Sequence, residues 1–304
     1  MSKLIQRFLL VSDMHYTTEQ TAEELKLTHP EARTCPASGR AFGKKQSEKI
    51  AKVYDDICEE HRRSPLDAVL VLGDLSVDDY DFRRLPDNYC RRFKNECMDR
   101  LPIPAYAIPG NHDSYPEALW REVFGYGRQY TLELGDSVFI MADTFASTPA
   151  SKTDPGSGSP HTEIDERFLE QSLKDYAGKR IFLCAHYFEK TKTFSDTAKR
   201  LIKDNPDIVC LFRGHTHVAS LTNLGEELGG KPLVDIGGYG YCGKKIDGRW
   251  EFNIFDRAWS WGYQILEIYD DRIRTYHTRS ANKYLALNGE FDIRETLELD
   301  TDIG

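Results

Sequence analysis

The 304-residue chain has no apolar run approaching the ~18 residues of a membrane-spanning helix, so no membrane partner is expected. Near its start only Lys3 and Arg7 flank a short apolar run, and no signal peptide is read there. It has no Cys-x-x-Cys pair, and its seven cysteines are an odd number. That argues against a disulfide framework and a thiolate zinc site, and for free thiols in a reducing, cytoplasmic compartment. Cys184 and Cys210 fall inside apolar runs and read as small core residues. Basic excess is missing too. Lys and Arg number 40 against 49 Asp and Glu, a formal net charge of −9. Extended nucleic-acid binding needs the opposite balance.

What the chain does have is an ordinary globular composition, 40% hydrophobic and 29% charged, with length enough for one large α/β core. Five short polar motifs punctuate it, each closing an apolar run. Asp13-Met14-His15 follows Phe8-Leu9-Leu10-Val11, and Gly73-Asp74 follows Ala68-Val69-Leu70-Val71-Leu72. Gly110-Asn111-His112-Asp113 comes after Ala105-Tyr106-Ala107-Ile108, and His186 after Ile181-Phe182-Leu183-Cys184-Ala185. Gly214-His215-Thr216-His217 comes after Ile208-Val209-Cys210-Leu211-Phe212. Such runs read as strands buried on both faces. In open α/β sheets, ligands gather beyond the carboxyl ends of the strands. A lone Asp-x-His or Gly-Asp is usually a capped turn. Five such motifs at strand ends point instead to one shared site.

Seven side chains of these motifs suit metal: Asp13, His15, Asp74, Asn111, His186, His215 and His217. They offer oxygen and imidazole nitrogen without thiolate, which favours Mn, Fe, Zn or Co in a catalytic role. Seven ligands shared by two ions leave positions open for water and substrate. Two divalent ions about 3.5–4 Å apart can clamp a phosphoryl group and activate a water. They would also reverse the local charge, so the acidic balance does not exclude phosphate. Asp13 and His15 are two apart, as are His215 and His217, so an extended backbone is expected to aim both members of each pair to one side. The glycines at 73, 110 and 214 are expected to let backbone approach the ions.

At these residues the chain resembles the calcineurin-like metallophosphoesterases. Their signature is D-x-H, G-D, G-N-H-[DE], H and G-H-x-H in this order, and all five blocks are present over about residues 6–240. The resemblance implies that Asp13, His15 and His217 hold the first ion, that Asn111, His186 and His215 hold the second, and that Asp74 bridges them. It implies a shared hydroxide as nucleophile, with His112 protonating the leaving oxygen or stabilising the transition state. Val77 stands where purple acid phosphatases carry tyrosine and where the related protein phosphatases carry aspartate, so neither subfamily fits. Asp113 and Asp78 are both candidates to orient His112, against a default of surface aspartate in a turn. The Gly73-Asp74-Leu75, Pro109–Asp113 and Gly214–His217 blocks look closest to the bacterial cyclic-nucleotide phosphodiesterase branch.

The expected fold is a four-layer αββα sandwich, two mixed sheets flanked by helices, spanning residues 1–279 and followed by an acidic arm or tail at 280–304. Apolar periodicity predicts helices over 44–63, 86–100, 116–124, 163–176 and 195–203. Hairpins are expected at 129–143, around Gly135-Asp136, and at 262–279, around Asp270-Asp271. The lysines at 44, 45, 49 and 52 read as a solvated face, with phosphate binding as the lesser alternative.

Three regions are expected to set specificity: a polar insert at 16–43, offering Arg33 or Arg40 to a phosphate as a lid or lying as a floppy insert, a flexible loop at 147–161, and the pair Tyr239 and Tyr241. His161 in that loop reads as unremarkable, and His29, His61 and His277 as ordinary surface or helix histidines. Tyr239 and Tyr241 either stack on a base or pack. The expected function is hydrolysis of a small phosphodiester, cyclic nucleotides included. The alternatives are a phosphomonoesterase acting on nucleotides or metabolites, and a protein-binding scaffold such as the retromer subunit of this family.

Overall fold

The computed structural model describes residues 2–16, 46–76, 89–113, 115–145, 160–239, 244–246, 249–251, 262–279 and 296–302. Of these, 46–49, 244–246, 249–251, 279 and 296–302 are described by backbone alone. Outside the described residues lie the polar insert from residue 17 on with Arg33 and Arg40, and the loop segment 146–159. His29, Lys44, Lys45, Asp78, Pro86 and Tyr241 lie outside them as well.

In chain order the strands are β1 (Leu4–Val11), β2 (Ala68–Leu72), β3 (Ala105–Ile108), β4 (Tyr130–Leu134), β5 (Ser137–Ala142), β6 (Arg180–Ala185) and β7 (Ile208–Arg213). They continue with β8 (Ala219–Asn223), β9 (Pro232–Ile236), β10 (Lys244–Ile246), β11 (Arg249–Glu251), β12 (Gly262–Tyr269), β13 (Arg272–Arg279) and β14 (Thr296–Asp302). The helices are α1 (Gln46–Arg63), α2 (Tyr89–Glu96), α3 (Glu117–Phe124), α4 (Glu166–Asp175) and α5 (Asp196–Asp204).

One sheet has the order β14-β13-β12-β1-β2-β3 and the other β4-β5-β6-β7-β9-β8. Both are mixed. In the first, β1, β2 and β3 run parallel, while β12 pairs with β1 antiparallel. In the second, β5, β6, β7 and β9 run parallel between antiparallel edges β4 and β8.

Alternation along each strand assigns residues to layers. Phe8, Leu10, Leu70 and Leu72 from one sheet meet Phe139, Phe182, Cys184 and Phe212 from the other, forming the core between the sheets. The alternate residues Leu9, Val11, Val69 and Val71 face outward under Val53 and Ile57 of α1 and Tyr89 and Phe93 of α2. Val138, Ile140, Ile181 and Leu183 do the same under Leu169 of α4 and Ile202 of α5. Helix, sheet, sheet and helix therefore stack as four layers, as the apolar runs led one to expect.

Helix α4 is shorter than the periodicity predicts and α5 is displaced by one residue, and their caps account for both starts. Asp165 accepts from the backbone N–H groups of Arg167 and Phe168, and Ser195 accepts from Ala198, so α4 and α5 begin after those residues. Both expected hairpins are present, with Gly135 in the left-handed region at φ 58° between β4 and β5. His277 proves to be buried in β13, not on a surface or helix. Among the described residues no helix is long and apolar enough to cross a membrane.

Arg7 of β1 enters this interior with satisfied partners. Its guanidinium donates to Glu60 of α1 at 2.8 Å and to Glu267 of β12 at 3.1 Å, tying the sheet to the helix above it. Tyr239 is fully buried and donates to Asp56 of α1 at 2.8 Å, so of its two readings it packs.

Candidate metal centre

The five motifs meet where β1, β2, β3, β6 and β7 end, because parallel strands in two stacked sheets all point their carboxyl ends to one side. The chain does not leave those strands in extended conformation. Asp13 (φ 58°), His15 (φ 45°), Asp74 (φ 51°), His215 (φ 69°) and His217 (φ 59°) are all left-handed. The extended Asp-x-His and His-x-His pairs expected from the spacing are therefore corrected: each pair converges through left-handed turns. Such a conformation costs a non-glycine residue roughly 1–3 kcal/mol and persists only where surrounding structure enforces it.

The enforcement is visible in hydrogen bonds. Asp13 N–H donates to the Gly73 carbonyl at 3.0 Å and His15 N–H to the Asp74 carbonyl at 2.9 Å, so the first two turns hold each other. Gly110 has no room for a side chain: a Cβ there would run into the Asp74 carboxyl and backbone N–H. At Gly214 a Cβ would collide with Ser12 and come within 2.9 Å of Asp13 Oδ2. The glycines are needed for this close approach of backbone to the Asp74 and Ser12 side chains.

Asp13 Oδ2 accepts from Ser12 Oγ at 2.6 Å and from the His215 N–H at 3.0 Å. Its other oxygen, Oδ1, is buried, accepts from no other group among the described residues and faces His217 Nε2 at 2.9 Å. Asp74 divides its oxygens the same way. Oδ1 accepts from the His112 N–H at 2.9 Å, and Oδ2 faces His186 Nε2 at 3.2 Å and His15 Nε2 at 3.7 Å. The Nε2 atoms of His15 and His217 are 3.3 Å apart. Converging imidazole lone pairs and an orphaned buried carboxylate oxygen are what a cation satisfies.

Asp13, His15, Asp74 and His217 form one group able to hold a metal ion, and Asp74, His186 and His215 form another, with Asp74 in both. Asn111 joins the second group through Oδ1, 2.9 Å from His215 Nδ1. His186 Nδ1–H donates to the Leu72 carbonyl at 2.6 Å, which turns Nε2 inward. His112 is buried, with its ring edge-on to that of His15 at 5.0 Å between centroids.

Burial would raise the Asp74 carboxyl, but His186, His112 and His15 outweigh it and carry it well below the usual carboxylate range. Burial opposes Asp13 as well, and His217 and His186 bring it down. The imidazole of His186 is pushed down by burial, yet Asp74 and Asp13 hold it at about 9. His215 goes the other way, driven down to about 3 by burial and by neighbouring His186. One dense cluster thus contains histidines of opposite tendency.

Asp235 and Arg128 escaped the sequence reading as supporting groups, and Asp113 was read only as a candidate to orient His112 or as a surface aspartate. Asp113 is fully buried rather than at the surface, and its carboxylate clamps two of the turns. Oδ2 accepts from the N–H groups of Gly110 (2.9 Å) and Leu75 (3.1 Å), and Oδ1 from that of Ser76 (3.0 Å). Burial and the Asp74 charge push it up to about 6. Asp235 at the end of β9 receives Arg213 at 2.6 and 3.0 Å and Thr216 Oγ1 at 2.9 Å, and so pins the loop carrying His215 and His217. Arg128 is bound to Asp143 at 2.7 Å and donates to the carbonyls of Asp113 and Tyr115. A strand-terminal acid is the only signal that could have flagged Asp235. His161, read as unremarkable, lies 5.8 Å from the His215 ring, centroid to centroid.

A family model described as calcineurin-like phosphoesterase matches residues 6–219. Among solved structures, a dimetal phosphatase from Danio rerio has a TM-score of 0.62 at 12% identity, with 99% of each chain covered. A structure of PhoD has a TM-score of 0.52 at 11% identity, covering 98% of this chain and 70% of that one. At such identities the likeness concerns the fold alone. Comparison with curated protein sequences returns no match.

Proposed function

This chain belongs to the calcineurin-like phosphoesterase family, and from that premise we propose that it is a binuclear metallophosphoesterase acting on phosphodiesters, cyclic nucleotides included. The observation that carries the reading is the pair of ligand groups sharing Asp74, with His112 beside them. In this reading Asp13, His15 and His217 hold one ion, Asn111, His186 and His215 hold the other, and Asp74 serves both. Mn, Fe or Zn suits these donors. When bound, such a pair supplies an activated water and neutralises charge on the transferring phosphoryl group.

The remaining work falls to the protein. Asp74 Oδ1, by accepting the His112 N–H, fixes the backbone of the proton donor relative to both ligand groups. His112 passes a proton to the leaving oxygen. Leu72 holds His186 in the tautomer that presents Nε2. Diesters are favoured because the blocks around Asp74, Asn111 and His215 resemble the cyclic-nucleotide phosphodiesterase branch, while Val77 departs from two other subfamilies.

The test is a panel of mono- and diesters, cyclic nucleotides among them, assayed with Mn, Fe, Zn and Mg. Turnover of diesters above monoesters is expected. A clear preference for monoesters would reverse the substrate assignment, and no turnover with any metal would favour a protein-binding scaffold.

A further inference from the structure

The second ligand group is bordered by aromatic rings that the chemistry above does not use. Phe145 is buried, with its ring 5.5 Å from His186 and 6.1 Å from His215. Tyr187 lies 4.5 Å from His215, and His161 lies 4.8 Å from Tyr187 and 5.1 Å from Phe145. Phe145 backs this group, while His161 and Tyr187 are only half-buried.

The arrangement is built rather than incidental. An isolated antiparallel bridge joins Phe145 to His161, and the Thr162 N–H donates to the Thr144 carbonyl at 3.0 Å beside it. Thr144 Oγ1 donates to the Tyr187 carbonyl at 3.0 Å, and Tyr187 Oη donates to Glu189 at 3.2 Å. The Arg213 guanidinium lies 5.4 Å from the Tyr187 ring centre. His161 Nδ1 is buried and makes no hydrogen bond among the described residues. Its ring packs against those of Phe145 and Tyr187.

We propose that His161 and Tyr187, backed by Phe145, form a stacking wall that receives a planar aryl or heteroaryl group of the phosphoester bound at the adjoining metal centre. The position follows from continuity: the wall touches His215 and His186, so a ring stacked on it adjoins the second ligand group. Stacking tolerates many rings because it uses only a π-face. The wall therefore sets a class preference, for ring-bearing over ring-free esters. The proposal rests on the phosphoesterase reading for the placement of phosphorus.

The experiment measures binding of phenylphosphonate and methylphosphonate to the Mn-loaded protein by calorimetry, alongside hydrolysis of bis(4-nitrophenyl) phosphate. The native chain is expected to bind the phenyl compound about tenfold more tightly or better. His161→Ala and Tyr187→Leu should each bring the ratio towards one, with metal content retained, while His161→Phe, which keeps a ring, should preserve it. A native ratio near one overturns the proposal. So does a ratio that survives both truncations, or an equal loss for both ligands, which would mark the residues as supports of the metal centre. Absence of hydrolysis with binding selectivity intact would sink the phosphoesterase reading and leave the wall standing.

Discussion

Single residues at this centre divide their atoms between holding the fold and facing the site. Asp74 is the sharpest case: one oxygen accepts the His112 N–H, and the other faces His186 and His15. Asp74→Asn keeps the shape but replaces an anionic oxygen common to both ligand groups. Elemental analysis after Mn reconstitution and desalting should then fall from near two ions per chain, with both groups disturbed. Substantially fewer than two ions in the native protein would itself remove the binuclear assignment. His112→Ala should behave differently. Metal should stay, and the rate on esters with poor leaving groups should drop by roughly 10²–10⁴, the usual worth of a proton donor. Unchanged rates would show that His112 has another role.

At the scale of elements, the loops are held by acids one step removed from the candidate ligands. Arg213 at the end of β7 and Asp235 at the end of β9 form an ion pair in which Asp235 is buried, and Thr216 and Ser220 complete the acid's hydrogen bonds. Removing one member of such a pair strands the other, at a cost of roughly 3–5 kcal/mol. Asp235→Ala should therefore lower the denaturation midpoint and weaken metal retention together, since the same loop presents His215 and His217. A variant that keeps native stability by urea titration would show the pair to be idle.

These supports were the least legible part of the chain. Strands and helices follow from periods of two and 3.6 that lie within one segment, whereas Asp113 clamps Gly110, Leu75 and Ser76 across 37 and 38 positions of sequence to the latter two. Such partners are set by packing and leave no local pattern. His161 was missed for the same reason.

For the molecule as a whole, the buried charge cluster links metal binding to pH. In the metal-free protein Asp74 and Asp13 hold His186 at about 9, above its ordinary 6.5, so it carries a proton at neutrality. A raised folded-state value means that this proton contributes stability below pH 6.5, a contribution lost as pH climbs through 9. With His186 as a ligand, as proposed, a binding metal would displace the same proton. Calorimetry at pH 7 in buffers of different ionisation enthalpy should detect proton release on binding, and affinity should climb with pH up to about 9. A pH-independent affinity over that interval would contradict this coupling. The four-layer stack is what keeps the cluster dry enough for such shifts, with Asp13, Asp74 and His186 all essentially inaccessible.

The sequence by itself determined the layered α/β architecture, because burial on both faces forces long-range order into short apolar runs that can be read locally. It also singled out the seven candidate ligands and His112, because each follows a run that must end as a strand. The tertiary structure alone decided how those ligands converge. Left-handed turns replaced the extended pairs that spacing suggests, and they persist because backbone from other strands holds them in place. It alone decided, too, that Asp113 and Asp235 are supports and that His161 and Tyr187 border the site. Those roles depend on distances between segments far apart in the chain, and such distances exist only after folding.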